Sequence, residues 1–451
     1  MNVGPPHRSD GRAESVRVWA VLAAGLAVAG AAASWFRPLA PELPPPVTDL
    51  AVFTPEVLEA VATYRGPRAV VAVVATVLQV AVPLGVVLTP WGRAAVVRIA
   101  GPLERSARRA ALVAGVVSVA TSVVLLPLAY WSRVVHDGRW GFRTQSAGAW
   151  LRDWLVVSAG RWVAVAALVA LLVAAIARWP RSWPYRLTVL GTVIAIAIVF
   201  VHPVVLQPVV LPTGPLVDGE HRAAIQAVLD AAGDPDLTVV VGAASRRTTR
   251  VNAQAVGLGP TARIVLHDTL LDLPPAQVAS VVAHEVAHHQ HRDLPRGVLL
   301  TATALLPGLL VLRRVLATER VRRSVTARGP ADPRVIAVVL AFVAVVELVG
   351  TPATNLVTRR LEAAADARAV ELTRDPATLI GATRVFTVRD LSQPEPATWI
   401  TVLYRTHPSV TQRVEQAVAI AERDGLPLPT RDDLEVEEAV HLHPATLGGR
   451  G

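Results

Sequence analysis

The chain has 451 residues, of which 52% are hydrophobic, with a mean hydropathy of +0.44 and a formal net charge of +9. Soluble globular domains rarely reach this apolar fraction, so a membrane protein is the first class to test. The chain has no cysteine, which excludes disulfides and thiolate metal sites; any metal must therefore be held by His, Asp or Glu.

All 44 basic residues are arginine, and most of them lie in short segments between apolar runs. Loop arginines of this kind are typical of membrane orientation, so we expect no nucleic-acid partner. The excess of Ala, Val and Arg is typical of a GC-rich bacterial genome. We therefore expect a multi-pass protein of a bacterial cytoplasmic membrane.

Seven mostly apolar stretches are long enough to cross a bilayer, which needs about 20 residues per helix. They are residues 17–36, 67–91, 110–131, 160–178, 184–206, 297–316 and 333–353. For the first stretch a signal peptide is the alternative, because its flank is basic and small residues lie near its end. The sequence thus predicts a mainly α-helical membrane protein with about seven transmembrane helices.

The polar segments divide the chain further. We expect an N-terminal transmembrane region over 1–211 with about five spans, a mainly polar region over 212–296, and two further spans over 297–353. A second polar region follows over 354–424, and then a flexible tail over 425–451. Within 212–296, the pattern predicts strands near 237–245 and 262–271 around the segment 251–259, followed by a single helix over 273–293. A small β-sheet should therefore precede that helix.

Residues 284–288 read HEVAH. His284 and His288 are four residues apart and share one helix face, and Glu285 lies between them. Two such imidazoles can bind Zn²⁺ while the glutamate acts on a water molecule, which predicts a zinc peptidase with Glu285 as general base. His289 and His291 are better explained as part of a solvated helix end, near its C-terminal dipole.

Catalytic zinc needs a third protein ligand and an open position. Residues 355–372 predict a helix that carries Glu362 and Asp366 on one face. Glu362 is the candidate third ligand, and Asp366 is the candidate to fix the tautomer of a ligand imidazole. The alternative is a surface helix with salt bridges to its own arginines.

The segment RTHPSVTQR at 405–413 supplies two more candidates. His407 precedes a proline, which favours an extended or turn conformation, and it could donate to a developing oxyanion. Arg413 could pair with an acidic group of the site. A plain loop histidine followed by a helix arginine is the alternative.

The order of these motifs resembles the type I CaaX prenyl protease family, integral-membrane zinc metallopeptidases of the gluzincin group with HExxH and ExxxD motifs. The resemblance runs from about residue 53 to 420. It includes HDGRWGFRTQSAGAWLRDW at 136–154 and SRRTTRVNAQAVGLGPTARIVLHDTLL at 245–271. Arg250 and Gln254 differ from the family, which usually has a histidine and an aromatic residue there, and this difference bears on substrate preference.

The resemblance implies one Zn²⁺ per chain, held by His284, His288 and Glu362, with Glu285 as base and His407 steadying the tetrahedral intermediate. It also implies that Asn252 and Ala253 lie on an edge strand that pairs with the substrate peptide. The spans would enclose a water-filled chamber that contains a zincin-type metallopeptidase site.

The expected function is thus a membrane-embedded zinc metalloendopeptidase that acts on peptide or protein substrates in a lipid bilayer; the oligomeric state stays open. A non-catalytic scaffold or pseudoprotease is the main alternative, although it would be expected to have lost a ligand or the base. A protease cutting inside membrane spans would carry HExxH within a span, and a transporter would need buried charges in its spans.

Arginine-rich loops at 92–109, 179–186 and 313–334 lie on one side of a seven-span topology. The positive-inside rule places that side in the cytoplasm and the metal site outside. The basic loop at 133–161 argues mildly for the opposite orientation.

Overall fold

The computed structural model describes residues 53–101 and 106–428. The described helices are, in chain order, α1 Pro55–Leu88, α2 Pro90–Ala100, α3 Ala107–Tyr130, α4 Ala147–Arg178, α5 Trp183–Val201, α6 Glu220–Ala231, α7 Pro275–Gln290, α8 Asp293–Ala317, α9 Glu319–Ser324, α10 Ile336–Thr373, α11 Pro376–Val388, α12 Thr398–Tyr404 and α13 Val410–Asp424. The strands are β1 Thr213–Pro215, β2 Thr238–Gly242, β3 Ala253–Val256 and β4 Arg263–His267. The predicted mainly α-helical class with a small sheet is confirmed.

Six helical segments within the described residues are long and apolar enough to cross a membrane. They contain α1, α3, α4, α5, α8 and α10, and wide helical turns extend α3 to Arg139 and α5 to Val210. These six correspond to the second to seventh predicted spans. The first predicted span, 17–36, lies outside the described residues. The chain is a multi-pass membrane protein.

The sheet has the order β1-β2-β4-β3, and β3 is an edge strand. β2 and β4 are parallel, whereas β3 pairs with β4 in antiparallel fashion, with Ala253 opposite Leu266. Gly257 ends β3 with φ +78°, and a side chain there would collide with the backbone carbonyl of Thr261. Glycine is therefore required where the chain leaves the edge strand.

Helix α10 runs without interruption from the membrane region to the metal centre. Its 38 residues begin with an apolar stretch and carry the EAAAD motif at 362–366, and the predicted division between 353 and 354 falls inside it. The polar part stays helical because it is buried against protein: Ala363, Ala365 and Ala369 are fully covered. One continuous helix, with Pro352 in its interior, thus connects the spans to the site.

Three hydrophobic cores organise the described chain. The first joins the membrane helices at the end away from the sheet, and includes Val113, Val173 and Ile336. The second lies between the sheet, α6 and α7, and the third packs the start of α1 against α11 and α13. The second and third cores meet at α10 and α11, and together they fix the helices that carry the HExxH and ExxxD motifs.

A cavity of about 380 Å³ lies between α1, α3 and α10, and Tyr404 of α12 closes one end of it. Gln79 and Glu347 are among its lining residues. The larger water-filled chamber implied by the resemblance remains a prediction.

Candidate metal centre

Helix α7 presents the two histidines of HExxH on one face. It begins with Pro275 in its first turn, a position where the missing N–H costs nothing. Val278, Val282 and Val286 are fully buried in the core beneath the sheet. Their four-residue spacing anchors the helix and leaves His284 and His288 facing α10.

The imidazoles of His284 and His288 meet the carboxylate of Glu362. His284 Nε2 lies 3.1 Å from His288 Nε2 and 3.1 Å from Glu362 Oε2, and His288 Nε2 lies 3.6 Å from Glu362 Oε1. Three ligands at ~2.1 Å from a tetrahedral metal lie ~3.4 Å apart. The donor set therefore fits a single metal ion. Among the described residues, these three side chains form the group of His and acidic residues whose ligand atoms lie close enough together to hold a metal.

The surface-helix alternative for 355–372 does not hold, because Glu362 and Asp366 are both buried. Asp366 Oδ1 lies 2.9 Å from His284 Nδ1, so this carboxylate holds His284 with its Nε2 toward Glu362. Arg413 donates to both oxygens of Asp366, from Nε at 2.7 Å and from a terminal nitrogen at 2.6 Å. Arg413 was predicted to pair with an acidic group of the site, and that group is Asp366.

Arg413 reaches this position because of how α13 begins. Ser409 caps the helix by accepting from the Gln412 N–H, while the Gln412 side chain accepts from the Ser409 N–H. This reciprocal cap fixes the first turn after the His-Pro dipeptide. His407 and Arg413 are thereby held on the same side of the site.

His288 has a carboxylate partner that the sequence analysis missed. Asp293 Oδ2 lies 2.8 Å from His288 Nδ1. Arg292 adopts a left-handed conformation with φ 55°, which turns the chain back between α7 and α8 and brings Asp293 under the imidazole. The sequence signal was weak, an aspartate five residues after the second histidine, just past the end of the helix.

These carboxylates change the protonation of both histidines. Burial lowers the pKa of His284, but its hydrogen bonds to Asp366 and Glu362 outweigh that effect and raise the pKa to about 9. For His288, burial likewise opposes the charge, and Asp293 together with Glu362 raises the pKa to about 10. Without a metal, the site therefore retains protons at neutral pH.

Glu285 points from α7 toward the edge strand. Its Oε2 accepts a hydrogen bond of 2.7 Å from the backbone N–H of Ala255 in β3. Both Glu285 and the strand line the cleft that contains His284 and His407. The carboxylate is thus held between the histidine helix and the strand.

The main chain of β3 alternates in direction. The Asn252 carbonyl accepts from His267 in β4, and paired positions of an antiparallel ladder alternate between bonded and non-bonded. Ala253 and Ala255 therefore direct their N–H and C=O groups away from β4, as the Ala255 bond to Glu285 shows. Ala253 is thus able to pair with another strand, whereas Asn252 faces the cleft only through its side chain.

His407 lies directly beside Glu362. Its Nε2 is 3.1 Å from Glu362 Oε2, and its side chain is 57% exposed, in contrast to the buried His284 and Glu362. Its Nδ1 lies 3.0 Å from the Thr406 hydroxyl. The imidazole is therefore oriented and at the same time accessible from the cleft.

The cleft extends on both sides of this cluster. One lobe of about 340 Å³ lies toward Tyr404 and α11, and the other, of about 460 Å³, lies toward Leu258 and Pro295. Both lobes are lined by Asn252, Ala253, His284, Glu285 and His407. An extended chain can therefore occupy both sides of the site.

Arg250, where the sequence departs from the family pattern, joins the strand to the spans. It donates to the Asp390 carbonyl at 2.8 Å and to the Tyr64 hydroxyl of α1, and its guanidinium lies 3.8 Å from the centre of the Phe142 ring. The buried Asp137 accepts from Tyr64 at 2.6 Å and from Arg68 at 2.7 Å. Arg250 thus connects the chain just before β3 to helix α1 and to the segment at 136–154.

The other two histidines of the HExxH helix lie outside the ligand cluster. His289 Nε2 is 3.4 Å from Asp234. His291 ends α7 as its C-cap residue, and burial lowers the pKa of its imidazole.

The chain is similar to known proteins over most of its length. Residues 215–421 match the model of peptidase family M48, and residues 40–211 match the CAAX prenyl protease N-terminal model, described as five membrane helices. An uncharacterized metalloprotease of Bacillus subtilis, YhfN, is 26% identical over 305 residues, which are 67% of this chain and 71% of that protein.

CAAX prenyl protease 1 of Saccharomyces cerevisiae is 28% identical over 189 residues, which are 42% of each chain, so the similarity spans less than half of the yeast protein. Among solved structures, S. mikatae Ste24p superposes with a TM-score of 0.71 at 20% identity, covering 89% of this chain and 98% of that chain. This structural likeness establishes a shared fold.

Proposed function

Because the chain is a membrane metalloprotease of peptidase family M48, related to the CAAX prenyl proteases, we propose that it is a zinc-dependent endopeptidase that cleaves extended polypeptide segments. The observation that carries the proposal is the convergence of His284, His288 and Glu362 beside Glu285, in a cleft open on both sides. Two histidines and a carboxylate with one open position form a donor set that suits zinc.

When bound, zinc supplies a Lewis acid that activates water and polarises the scissile carbonyl. In the proposed mechanism Glu285 accepts the proton of the attacking water and passes it to the leaving amine. The Ala255 N–H holds the Glu285 carboxylate in place. His407, exposed to the cleft, donates to the substrate oxygen as that oxygen gains negative charge.

The substrate would bind as an added strand along β3. Ala253 offers an N–H and a C=O that point away from β4, so main-chain pairing can occur without regard to side-chain identity. The Asn252 side chain would contact the same segment from within the cleft. Occupation of both lobes places substrate residues on either side of the cut, which is why we propose internal cleavage rather than trimming of chain ends.

The proposed location is a bacterial cytoplasmic membrane with the metal site on the extracytoplasmic side. The arginine-rich loops after α1, α4 and α8 all lie at the end of the spans away from the sheet. The positive-inside rule supports a cytoplasmic position for that end. A reporter fused to the C-terminus that is active only outside the cytoplasm should be active; activity of a cytoplasm-specific reporter would reverse the orientation.

The direct test is cleavage of an unstructured reporter protein by the full chain purified in detergent, with zinc content measured on the same sample. We expect one zinc per chain, internal cleavage products, inhibition by a chelator and recovery on adding zinc. Zinc without cleavage of any unstructured protein would favour the pseudoprotease alternative. Products trimmed only from chain ends would contradict the endopeptidase proposal.

Asp293 is expected to contribute to metal affinity. Asp293→Asn should weaken zinc binding about 10- to 100-fold, because the carboxylate orients His288 and increases its basicity. Chelator competition measures the affinity. Asp236→Asn, an exposed aspartate of the loop before β2, is the matched control and should leave the affinity unchanged; equal affinities for both variants would contradict the role of Asp293.

Zinc affinity should rise with pH. The raised pKa values of His284 and His288 mean that the metal-free site holds protons at pH 7, and the metal must displace them. For each displaced proton the apparent affinity should increase about tenfold per pH unit below pH 9. Chelator competition between pH 6 and 8 measures this slope, and a flat profile would show that the imidazoles are already neutral.

A further inference from the structure

A separate cavity lies at the opposite end of the spans from the metal centre. It has a volume of about 330 Å³ and is bounded by the end of α4, the start of α5, the end of α8 and the loop before α10. We call it the distal cavity. Its size is within the range of small-molecule binding sites.

The walls of the distal cavity are apolar, and arginines contribute to its lining. Ile176, Trp183 and Leu316 are buried and belong to the core at this end of the spans. Arg313 and Arg328 contribute guanidiniums to the lining from α8 and the following loop, and Asp332 of the same loop contributes a carboxylate. Arg313 donates to the Arg181 carbonyl at 2.9 Å, which fixes its guanidinium beside the turn between α4 and α5.

The surface around the distal cavity is strongly positive. Residues 89–101, 106–109, 178–186 and 313–334 contain fourteen arginines, with Glu319 and Asp332 as their acids. Residues 102–105 add one glutamate and one arginine and leave this balance unchanged. A charge of this sign, concentrated where candidate spans end, complements the anionic lipids of a membrane leaflet.

The two acids are engaged with the protein itself. Asp332 accepts from the backbone N–H groups of Arg328 and Arg334, each at 3.0 Å, and Glu319 pairs with Arg323 one turn away on α9. Asp332 therefore serves mainly to shape the loop that carries Arg328. Trp179, under the Arg186 guanidinium at 4.6 Å, adds an aromatic side chain of the type enriched at the membrane interface.

We propose that the distal cavity binds the phosphate-bearing headgroup of an anionic phospholipid. The Arg313 and Arg328 guanidiniums would contact the phosphate, since planar guanidinium groups donate two hydrogen bonds to a phosphate. The apolar walls would take the glycerol and the first methylene groups of the acyl chains. A soluble phosphate compound would gain nothing from those walls, which is why we favour a lipid.

The test uses the full chain, purified in neutral detergent and titrated with phosphatidylglycerol or phosphatidylcholine, with binding followed by native mass spectrometry. We expect one tight phosphatidylglycerol site and no comparable phosphatidylcholine site. The double variant Arg313→Gln/Arg328→Gln should weaken the phosphatidylglycerol site about tenfold or more. Equal binding of the two lipids by the wild type would overturn the proposal, whether or not the double variant folds.

Two further variants separate this site from a general surface charge. Arg320→Gln removes an exposed arginine of the same face that does not line the distal cavity, and it should change the affinity less than twofold. Ala177→Phe fills the cavity without altering its charge and should weaken lipid binding as the arginine variants do. An equal loss in Arg320→Gln, or no loss in Ala177→Phe, would overturn the proposal.

Inorganic phosphate distinguishes the two sources of the anion. At millimolar concentration it should leave most of the bound phosphatidylglycerol in place. Full displacement of the lipid by phosphate alone would show that the distal cavity recognises a free anion rather than a lipid.

Discussion

Glu285→Gln should abolish peptide hydrolysis while the protein still binds one zinc ion per chain. The amide has nearly the size of the carboxylate and can still accept from the Ala255 N–H through its oxygen, so the strand and the histidine helix keep their positions. It cannot accept the proton of the attacking water. Loss of general-base catalysis costs about 10²- to 10⁴-fold in rate, and we expect kcat to fall by at least that factor.

The measurement is cleavage of the unstructured reporter together with metal analysis of the same preparation. Glu422→Gln, an exposed glutamate near the end of α13, is the matched control and should be indistinguishable from wild type. Retained hydrolysis by Glu285→Gln would remove Glu285 from the mechanism. A rate loss accompanied by zinc loss would instead mean that Glu285 supports the ligand cluster.

Glu362→Gln should remove the metal itself. The carboxylate lies within 3.6 Å of the Nε2 atoms of both His284 and His288 and is buried, so its replacement removes the negatively charged group on the Nε2 side of the two imidazoles. We expect zinc affinity to fall more than the roughly 100-fold typical of an outer-sphere change. Hydrolysis should disappear in parallel.

Chelator competition and metal analysis measure this loss. Glu371→Gln lies on the same helix, is exposed, and pairs with Arg368 rather than with the site, which makes it the control for helix stability. If Glu362→Gln retained stoichiometric zinc, Glu362 would not be the third ligand, and His407, whose Nε2 lies 3.1 Å from Glu362 Oε2, would be the first group to test.

The features that could be predicted from the sequence are those that depend on residues close together in the chain. A bilayer requires about 20 apolar residues per helix, so the runs that became α3, α4 and α8 were visible in composition alone. The four-residue spacing of His284 and His288 likewise fixes their common face before any tertiary contact forms.

The parts that escaped prediction depend on tertiary geometry. Asp293 supports His288 only because Arg292 turns the chain through a left-handed conformation. Residues other than glycine seldom adopt this conformation, so the sequence does not predict it at Arg292. The continuity of α10 across 353 was hidden because its residues change from apolar to charged there, and burial against α7 and α13, rather than lipid, covers the second half. The contact of Arg250 with Tyr64 joins residues 186 positions apart.

The continuous helix α10 also sets the distance between the membrane and the proposed catalytic site. Glu362 lies on the same continuous helix as the apolar stretch that ends near residue 353, so with a rise of about 1.5 Å per residue it stands about 14 Å along the axis beyond that stretch. If the bilayer holds the apolar stretch, the helix sets the distance of the proposed catalytic site from the membrane. For a membrane-anchored substrate we therefore expect the distance of a peptide bond from the membrane to influence cleavage, separately from amino-acid identity.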